Sequence, residues 1–182
     1  FLLIESIKDI DLKNIKIRNK FSIIYRNNNK IDNLNDLAKF RRQCRLKSIK
    51  FYVANNHSLA FSLNSDGIYL SSFNKNLNVL SFKKMNFEII GSAHNFREIT
   101  LKKRQGCSFI LLSKLFTVDY DKKAPSLGIL KFNNLSKVSK NLIPLGGIKP
   151  ENLNNLRNVF CKGFAILSEV KKKPANIINR LF

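Results

Sequence analysis

The segment Leu145-Gly146-Gly147-Ile148-Lys149-Pro150 has the residue types of an anion-binding turn. Two glycines leave an apolar run and a helix is expected to begin at once. Without Cβ atoms, their backbone N–H groups can approach an anion closely. A helix N-terminus adds a partial positive charge, which suits a phosphate. The same residues also suit a tight turn that needs positive φ, and that alternative stays open. His94 follows Gly91-Ser92-Ala93 at the end of another apolar run. It could relay a proton near neutral pH, or simply cap a helix. His57, at a helix start, has no such setting. No catalytic triad is visible, and no carboxylates pair at the ends of apolar runs. Asp66 precedes Gly67, where a turn explains it. A divalent metal prefers carboxylate oxygens, and the candidate positions offer mostly Asn, so no protein metal site is expected.

These groups need elements to hold them. Eight short apolar runs recur: Phe1–Ile4, Phe21–Arg26, Phe51–Asn55, Gly67–Ser71, Phe87–Ser92, Phe109–Phe116, Leu142–Gly146 and Phe164–Ser168. Continuous runs of this length predict parallel strands buried on both faces. Helix signals lie between them. Asp32 or Asn33 can cap Leu34–Leu46, and Asn56 can cap His57–Asn64. His94 or Asn95 precedes Phe96–Gln105, which Gly106 closes. Pro150 suits the first turn of Pro150–Asn158. Ala175–Phe182 reads as a terminal helix. The segments after Tyr25 and after Ser71 give no clear signal. About eight alternations predict an α/β chain, a (β/α)8 TIM barrel forming one domain over residues 1–182. An open doubly wound sheet is the alternative, but no GxGxxG turn follows the first run. In a barrel, function sits at the C-terminal strand ends. The candidates there are Arg26, Asn55, Tyr69 with Ser71, Ser92 with His94, Ser113 with Lys114, Gly146 with Gly147, and Ser168.

Composition narrows the partners. The 182 residues carry 33 Lys plus Arg against 12 Asp plus Glu, a formal charge of +21. That balance invites a nucleic-acid reading. The basic residues are dispersed, however, in short runs such as Lys39-Phe40-Arg41-Arg42, Lys102-Lys103-Arg104 and Lys171-Lys172-Lys173. Solvated helix faces are the expected explanation, and nucleic acid is not the expected partner. No apolar run approaches the roughly 18 residues needed to span a bilayer. The start Phe1-Leu2-Leu3-Ile4-Glu5 does not read as a signal peptide. Cys44, Cys107 and Cys161 are odd in number and widely spaced, which favours a reducing cytoplasm over a disulfide framework.

Three blocks together resemble the thiamine phosphate synthase and thiazole tautomerase superfamily, over Phe1 to about Lys173. Asn64-Ser65-Asp66-Gly67-Ile68-Tyr69-Leu70 resembles its "ADGVHL" strand. Ile90-Gly91-Ser92-Ala93-His94 resembles its "G-S-x-H" strand end. Pro144-Leu145-Gly146-Gly147-Ile148 with Gly163-Phe164-Ala165-Ile166-Leu167-Ser168 resembles "ALGGI … GvAviS". The resemblance implies a barrel that binds thiazole phosphate through Gly146, Gly147, Ile148 and Ser168. It implies His94 as the proton carrier of a tautomerase. It implies Arg26, Asn55, Ser92 and Lys122 as contacts for an aminopyrimidine pyrophosphate. The family's Q-x-R-x-K motif falls on Ile24-Tyr25-Arg26-Asn27-Asn28, keeping only the Arg. Its magnesium aspartates fall on Asn55 and Asn74. No tightly bound cofactor is expected, and magnesium only if synthase activity is retained. A basic nucleic-acid-binding protein, another phosphate-binding barrel and an inactive ligand-binding homologue are the alternatives. Homo-oligomer formation is left open.

Overall fold

Seven of the apolar runs form parallel strands, because backbone groups inside an apolar layer must satisfy one another. In the computed structural model, the residues described are 1–15, 20–27, 32–119, 123 and 125–167. Two compact units result. One holds Phe1–Tyr69 with Ile166 and Leu167, the other Leu70–Ala165.

In the first unit, β1 (Leu2–Ile4), β2 (Ser22–Tyr25), β3 (Lys50–Ala54) and β4 (Gly67–Leu70, whose last residue falls in the second unit) follow one another. Each pairs parallel with the next, through Leu2 beside Ile23, Tyr25 beside Val53 and Ala54 beside Tyr69. Leu3, Ile4, Ile23, Ile24 and Phe51 are wholly buried. Helix α1 (Leu34–Leu46) starts where the Asn33 side chain accepts the Asn35 amide, and α2 (His57–Ser62) where Asn56 accepts the Leu59 amide. Asp32, the other candidate cap, instead accepts from the Ser6 hydroxyl and the Ile7 amide. Helix α1 turns Leu37, Phe40, Arg41 and Cys44 inward, and the Phe40 ring meets Phe51 edge-on at 5.9 Å.

Arg41 is the exception to the solvated basic runs. It is buried, and its guanidinium donates to the Asn64 carbonyl at 3.1 and 3.0 Å and to Asp66 Oδ1 at 3.0 Å. Asp66 Oδ2 accepts the Phe51 amide at 2.7 Å. Asp66 therefore does more than shape a turn: it ties α1 to the starts of β3 and β4.

The second unit contains α3 (Leu80–Lys83), β5 (Glu88–Ala93), α4 (Phe96–Arg104), β6 (Phe109–Ser113), α5 (Gly128–Val138), β7 (Leu142–Leu145) and a 3-10 helix at Pro150–Asn158. The register sets Ala93 beside Leu112 and Ser113 beside Leu145. The expected helix at Pro150–Asn158 is wound as 3-10, a tighter form that competes well where Asn recurs and helix propensity is low.

The eighth expected strand, Phe164–Ser168, is shorter than the pattern predicts. Among the described residues, Ala165 bridges Leu145 and Ile166 bridges Leu2, with no longer ladder. Among the described residues seven strands are thus formed where eight were expected over the whole chain. The expected helix at Ala175–Phe182 lies outside the described residues. No helix among the described residues is long and apolar enough to cross a membrane. All three cysteines are free, and burial pushes the Cys44 thiol up to about 12.

Replacing Arg41 by Met should cost about 1.5–3 kcal/mol in urea unfolding, because Asp66 and the Asn64 carbonyl lose a charged donor. Arg42→Met, on the exposed face of the same helix, is the control. Equal losses in the two variants would show that the buried contact contributes nothing.

Candidate functional site

Polar residues leave β5, β6 and β7 from a single edge, because the register aligns Ala93 with Leu112 and Ser113 with Leu145. His94, Lys114 and Gly146 are the first residues beyond those ends.

The glycine turn is built by close approach. Gly146 and Gly147 have φ of +92° and +69°. A Cβ on Gly147 would lie 2.5 Å from the carbonyl oxygens of both Phe116 and Thr117, and one on Gly146 would lie 3.2 Å from Lys114 Cα. Both glycines are therefore required by the fold, as the tight-turn alternative holds. The loop after β6 is stitched to the turn by Leu115 and Phe116 amides donating to the Leu145 and Gly146 carbonyls at 2.9 and 3.1 Å. Asn152 Nδ2 donates to the Gly147 carbonyl at 2.7 Å, and the Lys149 amide donates to Asn152 Oδ1 at 2.9 Å. The Lys149 ammonium pairs with Asp119. In contrast, the amides of Gly146, Gly147 and Ile148 meet no acceptor among the described residues. Successive amides freed by positive φ form a concave donor set of the kind that holds anions. The tight turn is formed, and its geometry is compatible with the anion alternative.

His94 caps as well as projects. Its amide donates to Glu98 Oε2 at 2.8 Å, and its Nδ1 lies 3.1 Å from the same oxygen. Asn95, at the α4 N-cap, accepts the Glu98 amide at 3.0 Å and donates to Glu98 Oε1 at 3.0 Å. Burial would push the Glu98 carboxyl up, but the bonds from His94 and Asn95 outweigh it and hold the carboxyl below its ordinary value. With Nδ1 fixed on a carboxylate, the Nε2 edge is the one left to exchange a proton. The His94 side chain is 53% exposed, so solvent reaches it. Ser92 is buried one residue inside the end of β5.

Arg26 and Asn55 belong to the first unit. The Arg26 amide donates to the Ile4 carbonyl at 2.8 Å, directly after β2. Asn55 follows β3 at φ of 55°, a left-handed position that Asn tolerates better than most residues, and its amide donates to the Tyr69 carbonyl at 2.9 Å. Ser168 and Lys122 lie outside the described residues.

Sequence reading missed Lys102 and Gln105, which it placed in a solvated helix. Both are wholly buried. Lys102 Nζ donates to the Ser71 and Asn74 carbonyls at 2.7 and 2.8 Å and to Gln105 Oε1 at 2.9 Å. Gln105 Nε2 donates to the Asn74 and Asn76 carbonyls at 3.1 and 2.7 Å. Burial pulls the Lys102 pKa from 10.5 down to about 8. The available signal was spacing: Lys102 lies three residues after core-facing Ile99.

Where the resemblance places magnesium carboxylates, this chain has the neutral side chains of Asn55 and Asn74. Among the described residues no three His, Cys, Asp or Glu side chains cluster as ligands. The Asn74 main-chain carbonyl accepts from the Lys102 ammonium, which places a positive charge beside that residue.

A family model described as thiamine monophosphate synthase matches residues 3–170. A thiamine-phosphate synthase of Flavobacterium psychrophilum is 29% identical over 164 residues, covering 82% of this chain and 78% of that protein. One from Prochlorococcus marinus strain AS9601 is 28% identical over 173 residues, covering 92% of this chain and 48% of that protein, so the chain spans about half of that relative. The solved structure of thiamine phosphate pyrophosphorylase from Pyrococcus furiosus superposes with a TM-score of 0.66 at 18% identity, over 86% of this chain and 83% of that one. At that identity it shows a shared α/β fold alone. A 3-keto-L-gulonate-6-phosphate decarboxylase from Vibrio cholerae shares the fold at a TM-score of 0.54 and 15% identity, over 82% of this chain and 80% of that one.

Two outcomes follow from the geometry. Gly147→Ala should cost about 1–3 kcal/mol more than Gly128→Ala in urea unfolding. Both glycines have positive φ, but a Cβ on Gly128 meets nothing within 4 Å. Equal costs would refute the close approach. For Lys102, the folded pKa lies below the unfolded value, so the unfolded chain holds more protons between them. Its contribution to stability is therefore complete above pH 10.5 and is lost as pH falls through about 8. Wild type should gain on Lys102→Met as pH rises across that window, and parallel curves would show the lysine is not buried.

Proposed function

Because the chain belongs to the thiamine monophosphate synthase family, we propose that it acts in thiamine biosynthesis by binding thiazole phosphate at the Gly146–Ile148 turn. The observation that carries this reading is the run of three successive amides without acceptors among the described residues, opened by two glycines at positive φ. Such donors match the oxygens of a phosphate, and they cost no side-chain entropy to hold. Ser168 is proposed to complete the phosphate contacts, and a cytoplasmic setting belongs to the same proposal.

His94 is proposed as the proton carrier. Glu98 on Nδ1 orients the ring, while Nε2 gives or takes the proton at a ring carbon of the thiazole. This supports tautomerase chemistry. Condensation with an aminopyrimidine pyrophosphate, the synthase reaction that the resemblance implies, is the second reading, and similarity to proteins named thiamine-phosphate synthase favours it. In that reading Arg26, Asn55, Ser92 and Lys122 contact the pyrophosphate or pyrimidine. No step is routed through magnesium, given the neutral donors at Asn55 and Asn74. Binding of nucleic acid finds no comparable support.

Incubating the protein with thiazole phosphate and the pyrimidine pyrophosphate, with and without Mg2+, separates the readings. Thiazole phosphate should bind in every arm. If neither ligand binds, the thiamine reading fails. If only the thiazole tautomer is converted, His94→Asn should lower the rate by about 100-fold or more, the usual scale of acid–base catalysis. Magnesium-dependent thiamine phosphate formation would instead overturn the argument from Asn55 and Asn74.

A further inference from the structure

We propose that Lys102 and Gln105 are positioning residues that fix the Ser71–Asn76 loop, so that this loop seats the ring end of the ligand whose phosphate is taken at the Gly146–Ile148 turn. The ligand half of the proposal rests on the thiazole phosphate reading above.

The loop leaves the C-terminal end of β4 and forms no helix or strand. Its order comes from elsewhere. Lys102 has three N–H donors, and each has one acceptor: the Ser71 carbonyl, the Asn74 carbonyl and Gln105 Oε1. Both N–H groups of the Gln105 amide go to the Asn74 and Asn76 carbonyls. Two buried side chains one helical turn apart thus hold three loop carbonyls. Asn74 and Asn76 add turns of their own, accepting the Asn76 and Asn78 amides at 3.1 and 2.9 Å.

Room for the lysine is made at Gly91. A Cβ there would lie 2.7 Å from Lys102 Cδ and 2.8 Å from Cys107 Sγ. Burying a cation costs several kcal/mol, and an apolar side chain would fill the same space without that cost. What the ammonium supplies and an apolar group does not is a fixed loop backbone. That loop carries Phe73, 71% exposed. An aromatic group on a fixed loop loses little freedom when a flat ring packs on it. Helix α4 joins this clamp to the site, because its other end holds the His94 imidazole through Glu98.

The test compares Lys102→Met, Gln105→Met and Phe73→Ala with wild type. It uses hydrogen exchange of the 71–76 amides and the affinities for thiazole phosphate and for inorganic phosphate. Lys102→Met and Gln105→Met should speed exchange across 71–76 by about tenfold or more while the β5 and β6 amides stay protected. Both should weaken thiazole phosphate by about tenfold and leave inorganic phosphate unchanged. Phe73→Ala should weaken thiazole phosphate with exchange unaltered. Should Lys102→Met fail to fold, Gln105→Met carries the comparison. Unchanged exchange overturns the clamp, and equal losses for the two ligands overturn the assignment to the ring end. If wild type binds neither ligand, the thiazole phosphate reading and the ligand half fall together, while exchange alone still decides the clamp.

Discussion

At Gly147 two loops meet so closely that no side chain fits between them. The carbonyls of Phe116 and Thr117 take the space a Cβ would need, and the chain must turn at positive φ to pass them. This contact fixes the loop after β6 against the turn after β7. It also decides which way the backbone faces. With the Leu145, Gly146 and Gly147 carbonyls engaged by Leu115, Phe116 and Asn152, the amides of Gly146 to Ile148 are left with no acceptor among the described residues. A packing constraint and the proposed binding surface are the same object here. A glycine that looks purely structural is therefore also functional in this reading, and a substitution aimed at one property disturbs the other.

Helix α4 has a comparable double use. Its first turn engages Glu98 with His94 and Asn95. Its last turn sends Lys102 inward and Gln105 follows directly after it, both onto the loop beyond β4. The helix is nine residues long, so the imidazole and the loop clamp are joined by a short rigid rod of about 13 Å at 1.5 Å per residue. Small shifts of this rod would move both, which ties the positions of two candidate ligand contacts to one element.

Much of the frame was legible because strand and helix patterns are strong where burial is two-sided. Seven of eight apolar runs became strands, and the Asn33, Asn56 and Asn95 caps all formed. What escaped reading has a physical reason in each case. Helix α5 begins at Gly128 with no side-chain cap, so nothing local announces it. Arg41 and Lys102 sit inside basic runs whose composition points to water. Only their spacing from Leu37 and Ile99 puts them on the inward stripe. Which basic residue of a run turns inward depends on a distant acceptor, Asp66 for one and the Ser71 and Asn74 carbonyls for the other. No local pattern contains that partner. The Gly146-Gly147 turn was readable because glycine's role is local, whereas the direction of its amides is set by contacts with β6 and Asn152.

The contrast between backbone and side-chain donors bears on how such a site changes. A phosphate held by main-chain amides depends on chain path, and the path here is enforced by packing at two glycines. Most side-chain substitutions around it leave those donors in place. A cation held by carboxylates depends on each side chain separately, and one amide in place of an acid removes a full charge from the site. In this chain Asn55 and Asn74 are neutral, and a buried ammonium already satisfies the Asn74 carbonyl. Metal-assisted handling of a pyrophosphate would therefore have to work against the local charge, while phosphate anchoring at Gly146–Ile148 would not. The two halves of the condensation considered above would rest on donors of different durability, and the proposed anchoring half is the one whose chain path is set by packing at Gly146 and Gly147.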